Sequence, residues 1–247
     1  MKHMSKVITI LFIVFFIICQ SPTIAPNPLA SSIPFVMEML DYTLYWGGVE
    51  VGSAKFQVSR DDKGLKILSI VLSNELVSTF YKVENIIQSA LNSEGYPLYY
   101  KLKLNQGKRT RDREVFFDYK NELVRSIDKE RNKERTYKMT KKYHDPLSGL
   151  FELRRRDIAV GTTEVIPFFD KKRFYEAHVE VLRKERIETD YSQFDTIVVH
   201  PRLKSEGIFT SKSDILIWLT DDEEKIPVKI EAKIKIGTIT AYLKGDR

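Results

Sequence analysis

Apolar and polar residues alternate along most of this chain, and the alternation is strictest near the C-terminus. Between positions 228 and 236, apolar residues take every second position, and Lys or Glu takes the positions between them. Over residues 215–219, apolar side chains fill both sets of alternate positions. A period of two predicts β-strands, and charge confined to one face predicts a sheet with one wet and one buried face. The acidic segment 221–225 lacks the ligand spacing of a calcium loop and is predicted as a hairpin turn.

Short alternating segments recur upstream, separated by turn-forming residues. Gly47 and Gly48 predict the tight turn of a hairpin. Residues 106–112 are predicted as a basic hairpin loop, and residues 168–172 as a further hairpin turn. This rhythm of short strands predicts an all-β, or β-dominated, fold built as one large curled antiparallel meander with a barrel-like sheet.

Two segments break the strand pattern and predict helices. Leu76, Val77, Phe80 and Tyr81 recur at helical spacing after Asn74, so a short helical segment is predicted near 75–81. The main helix is predicted near 145–157. There Asp145 can cap the free N–H groups, and a proline follows at the first helical position.

The N-terminus is typical of an export signal. Lys2 and Lys6 precede an uninterrupted apolar segment at 7–18, which is too short for a membrane span. We therefore predict a signal peptide over 1–30 and a single β-rich domain over 31–247, exported to the periplasm of a Gram-negative bacterium. The single cysteine, Cys19, leaves lipid anchoring as an alternative, although Ile18 stands where lipid attachment requires a small residue.

The charge pattern adds little to this picture. The chain has a net charge of +6, with Lys and Arg interleaved with Asp and Glu along the strands. Interleaved charge of this kind indicates a solvated surface and not a nucleic-acid groove, so no nucleic-acid partner is predicted.

Several short motifs occur in one order along the chain. They are Trp46-Gly47-Gly48, Phe80-Tyr81-Lys82-Val83, Gly95-Tyr96-Pro97-Leu98, Phe116-Phe117-Asp118, Asp145-Pro146-Leu147-Ser148 and Trp218-Leu219-Thr220-Asp221. Together they resemble the bacterial envelope family filed as domain of unknown function 3108. Glu84 departs from the Asp expected after Lys82-Val83. The resemblance implies an exported, mostly β protein and supplies no catalytic residues.

The candidate chemistry is sparse. His144, His178 and His200 have no metal-ligand spacing, so no metal or cofactor is predicted. His144 beside Asp145 could serve general acid–base catalysis, but the capping role of Asp145 is the favoured interpretation. No catalytic residue is predicted, the protein is interpreted as a non-enzyme, and a hydrolase is the weakest alternative.

Aromatic residues spread over most strands suggest a different role. They predict a non-enzymatic binder or carrier of an apolar or lipid-like ligand inside the curled sheet. The predicted cavity lining comprises Trp46, Phe56, Tyr100, Phe117, Trp218 and Ile230. Lys108, Arg109 and Arg111 are predicted to contact a lipid headgroup or a protein partner. The alternative is a structural or interaction protein of cell-envelope assembly, which docks an envelope protein through a sheet edge.

Overall fold

The computed structural model describes residues 38–61, 64–170, 172–204, 214–234 and 237–245. The predicted signal peptide at 1–30, with Cys19, lies outside the described residues. The family-like motifs and all of the predicted site residues lie within them.

Within these ranges, fourteen strands form one antiparallel sheet, as predicted. The strands are β1 (Glu38–Trp46), β2 (Val49–Asp61), β3 (Gly64–Ser73), β4 (Val83–Leu91), β5 (Pro97–Gln106), β6 (Arg109–Asp118), β7 (Leu123–Asp128), β8 (Lys133–Lys138), β9 (Thr163–Asp170), β10 (Arg173–Glu188), β11 (Gln193–Lys204), β12 (Asp214–Thr220), β13 (Pro227–Ile234) and β14 (Gly237–Leu243). Strands that follow each other in sequence pair, except β8 and β9, and β1 also pairs with β14. The edges of the sheet are therefore β8 and β9.

Most of the core lies on one face of the sheet, which we call the inner face, although Val198 and Trp218 on the other face are also buried. On β1 the inner face carries Leu40, Tyr42 and Leu44, whose exposed fractions are 8%, 1% and 2%. Across the ladder Leu40 lies opposite Phe56, and Leu44 lies opposite Ala241. Burying each large apolar side chain of this kind contributes about 1.5–3 kcal/mol, so the alternation seen in the sequence is what holds the sheet curled around its core.

The first helix, α1 (Glu75–Tyr81), is a short corner between β3 and β4. Its predicted cap is confirmed, because Asn74 Oδ1 accepts a hydrogen bond of 2.9 Å from the backbone N–H of Val77. No residue of α1 is buried. The helix is therefore held by its ends and not by an apolar face.

The second helix, α2 (Pro146–Arg154), is buried on nearly every side. Leu147, Leu150, Phe151 and Leu153 all belong to the core, and the ring of Phe168 lies so close to Gly149 that a Cβ there would sit 2.1 Å from it. A helix that is apolar all round is one enclosed by protein. The helix plugs the curl of the sheet, for which the sequence left both a ligand cavity and a filled core open.

The main helix ends three residues before the predicted boundary of 157. The N–H groups of Arg155 and Arg156 bond to the carbonyls of Glu152 and Leu153, each at 3.2 Å, which closes the last turn as a tight 3₁₀ turn. Arg154 then fixes the helix end, because its Nε and Nη2 donate to Glu224 O at 3.0 and 2.7 Å.

The two edge strands approach each other without pairing, along a line we call the seam. The ring of Tyr137 on β8 lies 5.3 Å from that of Phe169 on β9 and 6.5 Å from that of Phe174. Further along β9, His144 forms a parallel bridge with Phe168 and covers part of that edge. Side-chain contacts thus close the curl where backbone hydrogen bonds do not.

Two predicted turns are shorter than expected. Between β5 and β6 only Gly107 and Lys108 form the turn, so Arg109 and Arg111 belong to a strand and not to a loop. Phe168 and Phe169 likewise lie within β9. In both cases the alternation of inner and outer side chains continues through residues whose polarity suggested a loop. The predicted acidic turn at 221–225 is confirmed: Asp222 Oδ1 accepts from the N–H groups of Glu224 and Lys225, each at 3.0 Å.

The turns divide between two ends of the sheet. Helix α1, the β1–β2 turn and the β5–β6 turn lie together, because Asn74 Nδ2 donates to Glu50 O and Gly107 N donates to Lys82 O. We call this the α1 end. Helix α2 and the acidic turn lie at the other, which we call the α2 end. This distinction positions the candidate site.

Candidate functional site

Four of the six predicted cavity residues lie together on the inner face. Phe56, Tyr100, Phe117 and Ile230 belong to one contiguous core, with exposed fractions of 1%, 2%, 5% and 2%. A side chain that borders a void large enough for water keeps accessible surface inside that void. These four keep almost none, so they pack against other side chains and present no surface to a ligand.

Trp218 belongs to the same core cluster and is 3% exposed, whereas Trp46 does not belong to it. Trp46 lies at the α1 end of β1 and is 41% exposed. Trp218 lies on the outer face: Ile217 pairs with Ile230, whereas Trp218 pairs with Lys229. The Lys229 ammonium lies 4.1 Å from the centre of the Trp218 ring, and the indole N–H donates to Glu185. Trp218 is thus on the face of β12 opposite Ile217, and because both faces of this strand are apolar, the sequence pattern alone could not choose between them.

A serine, a histidine and an aspartate meet at the start of α2. Ser148 Oγ lies 3.3 Å from His144 Nδ1, and the ring of His144 stacks on Tyr96 at 4.7 Å. The carboxylate of Asp145 does not contact the imidazole. It accepts from the hydroxyl of Ser89 at 2.6 Å and from two backbone N–H groups of α2. The set is therefore the helix cap that the sequence predicted, and its side chains are at most 2% exposed.

Burial sets the proton affinities of this cluster. Desolvation raises the pKa of Asp145 to about 6, against the hydrogen bonds that stabilise its charged form. Desolvation also lowers the pKa of His144 to about 3, helped by the charges of Arg156 and Arg155. Both shifts therefore follow from the burial of the cluster.

An unexpected feature lies at the α1 end of β6, where three arginines occupy the inner face. Val115 and Phe117 are buried inner-face residues of this strand, and the alternation places Arg109, Arg111 and Arg113 on the same side. The ladder agrees, since Leu104 pairs with Arg111 and Leu102 with Arg113. Positive charge therefore replaces apolar side chains on the inner face where the seam opens.

Around these arginines the seam forms a small concave pocket, which we call the seam pocket. It encloses about 50 Å³ and is lined by Arg113, Ser126, Asp128, Arg131, Lys133, Arg135, Tyr137 and Lys172. Five of these side chains are cationic and one is a carboxylate. The volume suits a few water molecules or one small anionic group.

Polar groups at the seam pocket are incompletely paired within the protein. Arg113 Nη1 lies 3.7 Å from Asp170 Oδ1, which is too long for a hydrogen bond. Arg113 Nη1 and the hydroxyl of Tyr137 are both buried without a hydrogen-bond partner. Buried donors of this kind usually have a partner, so both groups are unsatisfied within the protein and neither is exposed to the space of the pocket.

The electrostatics of the region favour an anion. Desolvation lowers the pKa of Arg111, and the neighbouring charges of Arg113, Arg109 and Arg131 lower it further. Each of these neighbours disfavours a further positive charge and would be stabilised by a negative one. The pocket can hold a phosphate, sulfate or carboxylate group, because arginine binds such groups through two parallel hydrogen bonds.

The three basic residues predicted from the sequence lie beside the seam pocket and are not part of its lining. Arg109 and Arg111 flank the seam pocket, and Lys108 lies in the turn beside them. The missed residues are Arg113, Arg131, Lys133, Arg135 and Lys172. A signal was present, because the period-two pattern of Val115 and Phe117 continues through Arg113 and Arg111. Assigning 106–112 to a loop concealed it.

The described residues contain neither a grouped set of metal ligands nor a membrane-spanning helix. Among the described residues, no three His, Cys, Asp or Glu side chains are grouped so that they could hold a metal ion. Neither of the two helices in the described ranges has the length and apolar character needed to span a membrane.

The fold defines the class of this protein as a β-barrel-like, single-sheet antiparallel protein. A crystal structure described as the β-barrel-like protein of domain of unknown function DUF1849 from Brucella abortus is similar to it, with a TM-score of 0.60 and 10% sequence identity. The match covers 87% of this chain and 98% of that one, and identity this low shows a shared fold alone. The chain itself belongs to the family described as "Protein of unknown function (DUF3108)", which matches residues 41–244. No curated protein sequence matches it.

Proposed function

We propose that this protein is a non-enzymatic binding protein of the bacterial envelope, which holds an anionic, lipid-like ligand by its headgroup in the seam pocket. The observation that carries the proposal is the lining of the pocket, five cationic side chains against one carboxylate. Envelope location rests on the export signal predicted at 1–30.

The site of binding differs from the interior cavity that the sequence suggested. The inner-face aromatics Phe56, Tyr100 and Phe117 are at most 5% exposed, and α2 fills the curl beside them. An apolar chain could enter there only by displacing packed side chains, which costs several kcal/mol. A headgroup in the seam pocket requires no such displacement.

The chemistry of the lining favours phosphate over a simple carboxylate. Arg113, Arg131 and Arg135 provide planar donors on two sides of the pocket, and Lys133 and Lys172 add point charges. A tetrahedral anion with several acceptor oxygens satisfies more of these donors than a planar anion does.

Calorimetric titration tests the proposal with three soluble probes: inorganic phosphate, dihexanoyl phosphatidic acid and dihexanoyl phosphatidylcholine. We expect the phosphatidic acid to bind, inorganic phosphate to bind more weakly, and the zwitterionic lipid not to bind. Equal affinity for phosphate and phosphatidic acid would overturn the lipid-like part of the proposal. Absence of binding by all three would overturn the whole.

A matched pair of variants locates the site. Lys133→Gln with Arg135→Gln removes two inner-face charges and should weaken phosphatidic acid binding about ten-fold or more, since each hydrogen bond to a charged group is worth about 1.5–3 kcal/mol. The control, Lys103→Gln with Lys138→Gln, removes two exposed charges from the outer face of β5 and β8. An equal loss in the control would mean that net charge, and not the seam pocket, attracts the ligand.

The two alternative functions have less support. The hydrolase interpretation depends on His144 and Ser148, which are 2% and 0% exposed, and the Asp145 carboxylate does not orient the imidazole. The assembly interpretation depends on a free sheet edge. The described edge β8 carries Lys133, Arg135 and Lys138, and charges along an edge strand oppose the addition of another strand.

A further inference from the structure

One carboxylate lies among the cations of the seam pocket, at the end of β7. Asp128 follows the buried residues Val124 and Ser126 at every second position, so its side chain lies on the same inner face. Its neighbours across the ladder are Arg113 on β6 and Lys133 on β8, and all three residues line the pocket. A negative group therefore stands between cations in a site whose other charges are all positive.

The Asp128 carboxylate is not neutralised by a direct ion pair. Among the described residues its hydrogen-bond partner is the backbone N–H of Arg131, which donates to Oδ1 at 3.1 Å, and no lysine or arginine side chain pairs with it. The nearest carboxylate to Arg113 belongs instead to Asp170, at 3.7 Å. The bond to Arg131 holds the carboxylate at the start of the β7–β8 turn and leaves Oδ2 as an acceptor for a bound group.

A carboxylate in an anion site distinguishes anions by whether they carry a proton. An ionised carboxylate can only accept hydrogen bonds, so it repels a bare anionic oxygen and accepts a hydrogen bond from a P–OH group. A phosphate monoester keeps one such proton until its second ionisation, at a pKa of about 6. Sulfate and the phosphate diesters of most membrane lipids carry none at neutral pH.

We propose that the seam pocket selects a phosphate monoester over a diester, and that Asp128 accepts the hydrogen bond from its P–OH group. The cationic side chains of the lining bind the unprotonated oxygens of the same group. This inference rests on the proposed function, because it concerns the headgroup held in the same pocket. It goes further by naming the class of headgroup and the residue that selects it.

Inorganic phosphate and sulfate provide a test that needs no variant. At about pH 8 both are chiefly dianions, yet hydrogen phosphate still carries a proton and sulfate carries none. In calorimetric titration we expect phosphate to bind about ten-fold or more tightly than sulfate, since a sulfate oxygen beside Asp128 meets a like charge without a hydrogen bond. Equal affinities would overturn this inference and leave the anion site standing. Absence of binding by both anions and by phosphatidic acid would overturn the proposed function, and this inference with it.

A pair of short-chain lipids tests the same selection in a lipid-like ligand. Dihexanoyl phosphatidylmethanol is the methyl ester of dihexanoyl phosphatidic acid, with a single negative charge and no P–OH group. At about pH 5 the phosphatidic acid is chiefly a monoanion as well, so the two lipids carry matched charges. The phosphatidic acid should bind about ten-fold or more tightly. A methyl ester that binds as tightly would contradict the selection of a monoester.

The variant Asp128→Asn tests whether this residue makes the selection. The amide oxygen can still accept from the Arg131 N–H, while the amide nitrogen becomes a donor in place of Oδ2. Sulfate affinity should therefore rise about ten-fold or more, and the preference for phosphate should disappear. Asp128→Ser also keeps an oxygen for the Arg131 N–H and provides a second variant that lacks the carboxylate.

The matched control is Glu130→Gln in the same turn. Glu130 is exposed and does not line the seam pocket, so its replacement removes the same charge from outside the site. The preference for phosphate over sulfate should stay unchanged in this variant. An equal loss of preference in both variants would mean that net charge governs the selection, and an unchanged preference in Asp128→Asn would overturn the role of Asp128.

Discussion

On the inner face of β6, β7 and β8, the two ends of the strands carry different kinds of side chain. Toward the α2 end, Val115, Phe117 and Val124 are at most 5% exposed and belong to the core. Toward the α1 end, the same face of the same strands carries Arg113 and Arg135. The backbone ladder is continuous across the change, because β6 pairs with both neighbours on either side of it.

This difference in side chains explains why the seam between β8 and β9 is closed at one end of the sheet and open at the other. Apolar side chains at the α2 end draw the edges together, as the contact of Phe117 with Phe169 at 6.2 Å shows. At the α1 end the inner face carries Arg113 and Arg135 in place of apolar side chains, and the edges there surround the seam pocket. One half of the seam therefore contributes stability, and the other half is where we propose that the ligand binds.

We call the α2 end of the seam, with its apolar contacts, the closed half, and the α1 end, with the seam pocket, the open half. The largest expected loss of stability comes from removing an apolar side chain from the closed half. Phe117→Ala should lower the free energy of unfolding by about 3–5 kcal/mol, through lost burial and the cavity left between the edges. The matched control is Phe116→Ala on the outer face, whose ring meets only Tyr99 at 5.1 Å and Arg125 at 4.5 Å among the described aromatic and cationic contacts. Phe116→Ala should lower the free energy of unfolding by about 1 kcal/mol. Urea unfolding measures the loss in each variant, and equal losses would contradict the assignment of the β6 core to the inner face.

A second test uses pH, because Asp145 and His144 are buried in the closed half. The pKa of Asp145 is raised to about 6, so its contribution to stability is present below its ordinary pKa of 3.8 and is lost as pH rises through 6. The pKa of His144 is lowered from 6.5 to about 3, so its contribution is present above 6.5 and is lost as pH falls toward 3. Between these limits the two contributions nearly cancel.

Replacing His144 separates its contribution to stability from that of Asp145. At about 1.4 kcal/mol per pKa unit, each contribution changes by about 3 kcal/mol between pH 7 and pH 4. Unaltered protein should therefore show a nearly flat urea midpoint over this range, whereas His144→Gln should become about 3 kcal/mol more stable on acidification. Neutralising Lys133 and Arg135, which lie in the open half, should leave the profile flat. A midpoint of the histidine variant that falls with acidity would show that Asp145 is not protonated.

Sequence patterns predicted most of the fold because each strand buries one face. The alternation through Val228 and Ile230, the cap at Asp145 and the turn after Thr220 each follow from local chemistry and are confirmed. The filled interior could not be predicted, since the apolar stripe of α2 does not reveal that its other sides are also enclosed. Nor could the pairing of Trp218 with Lys229, because register depends on the neighbouring strand.

The candidate site was harder to predict for a different reason. Its residues come from β6, from β7 and β8, and from the β9–β10 turn, and only the curling of the sheet brings Arg113 near Lys172. The local signal, arginine alternating on an inner face, also resembles an exposed basic loop. The arginines can be assigned to the inner face only after Leu102 and Leu104 fix the register of β5 against β6.

The smallest expected change in stability is that of Tyr137→Phe, a variant in the open half. Tyr137 contributes its ring to the seam and lines the seam pocket, and its hydroxyl is buried without a hydrogen-bond partner. Tyr137→Phe keeps the ring contacts and removes the unpaired group, so stability should stay level or rise by up to about 1 kcal/mol. In the closed half, the hydroxyl of Tyr119 donates to Pro97 O at 2.9 Å, and Tyr119→Phe should lower stability by about 1 kcal/mol. Urea unfolding and phosphatidic acid titration of both variants decide the matter. Tyr137→Phe should lower neither the affinity for phosphatidic acid nor the stability of the fold, whereas Tyr119→Phe should lower the stability alone. A Tyr137 variant that loses stability would mean that its hydroxyl is a structural group.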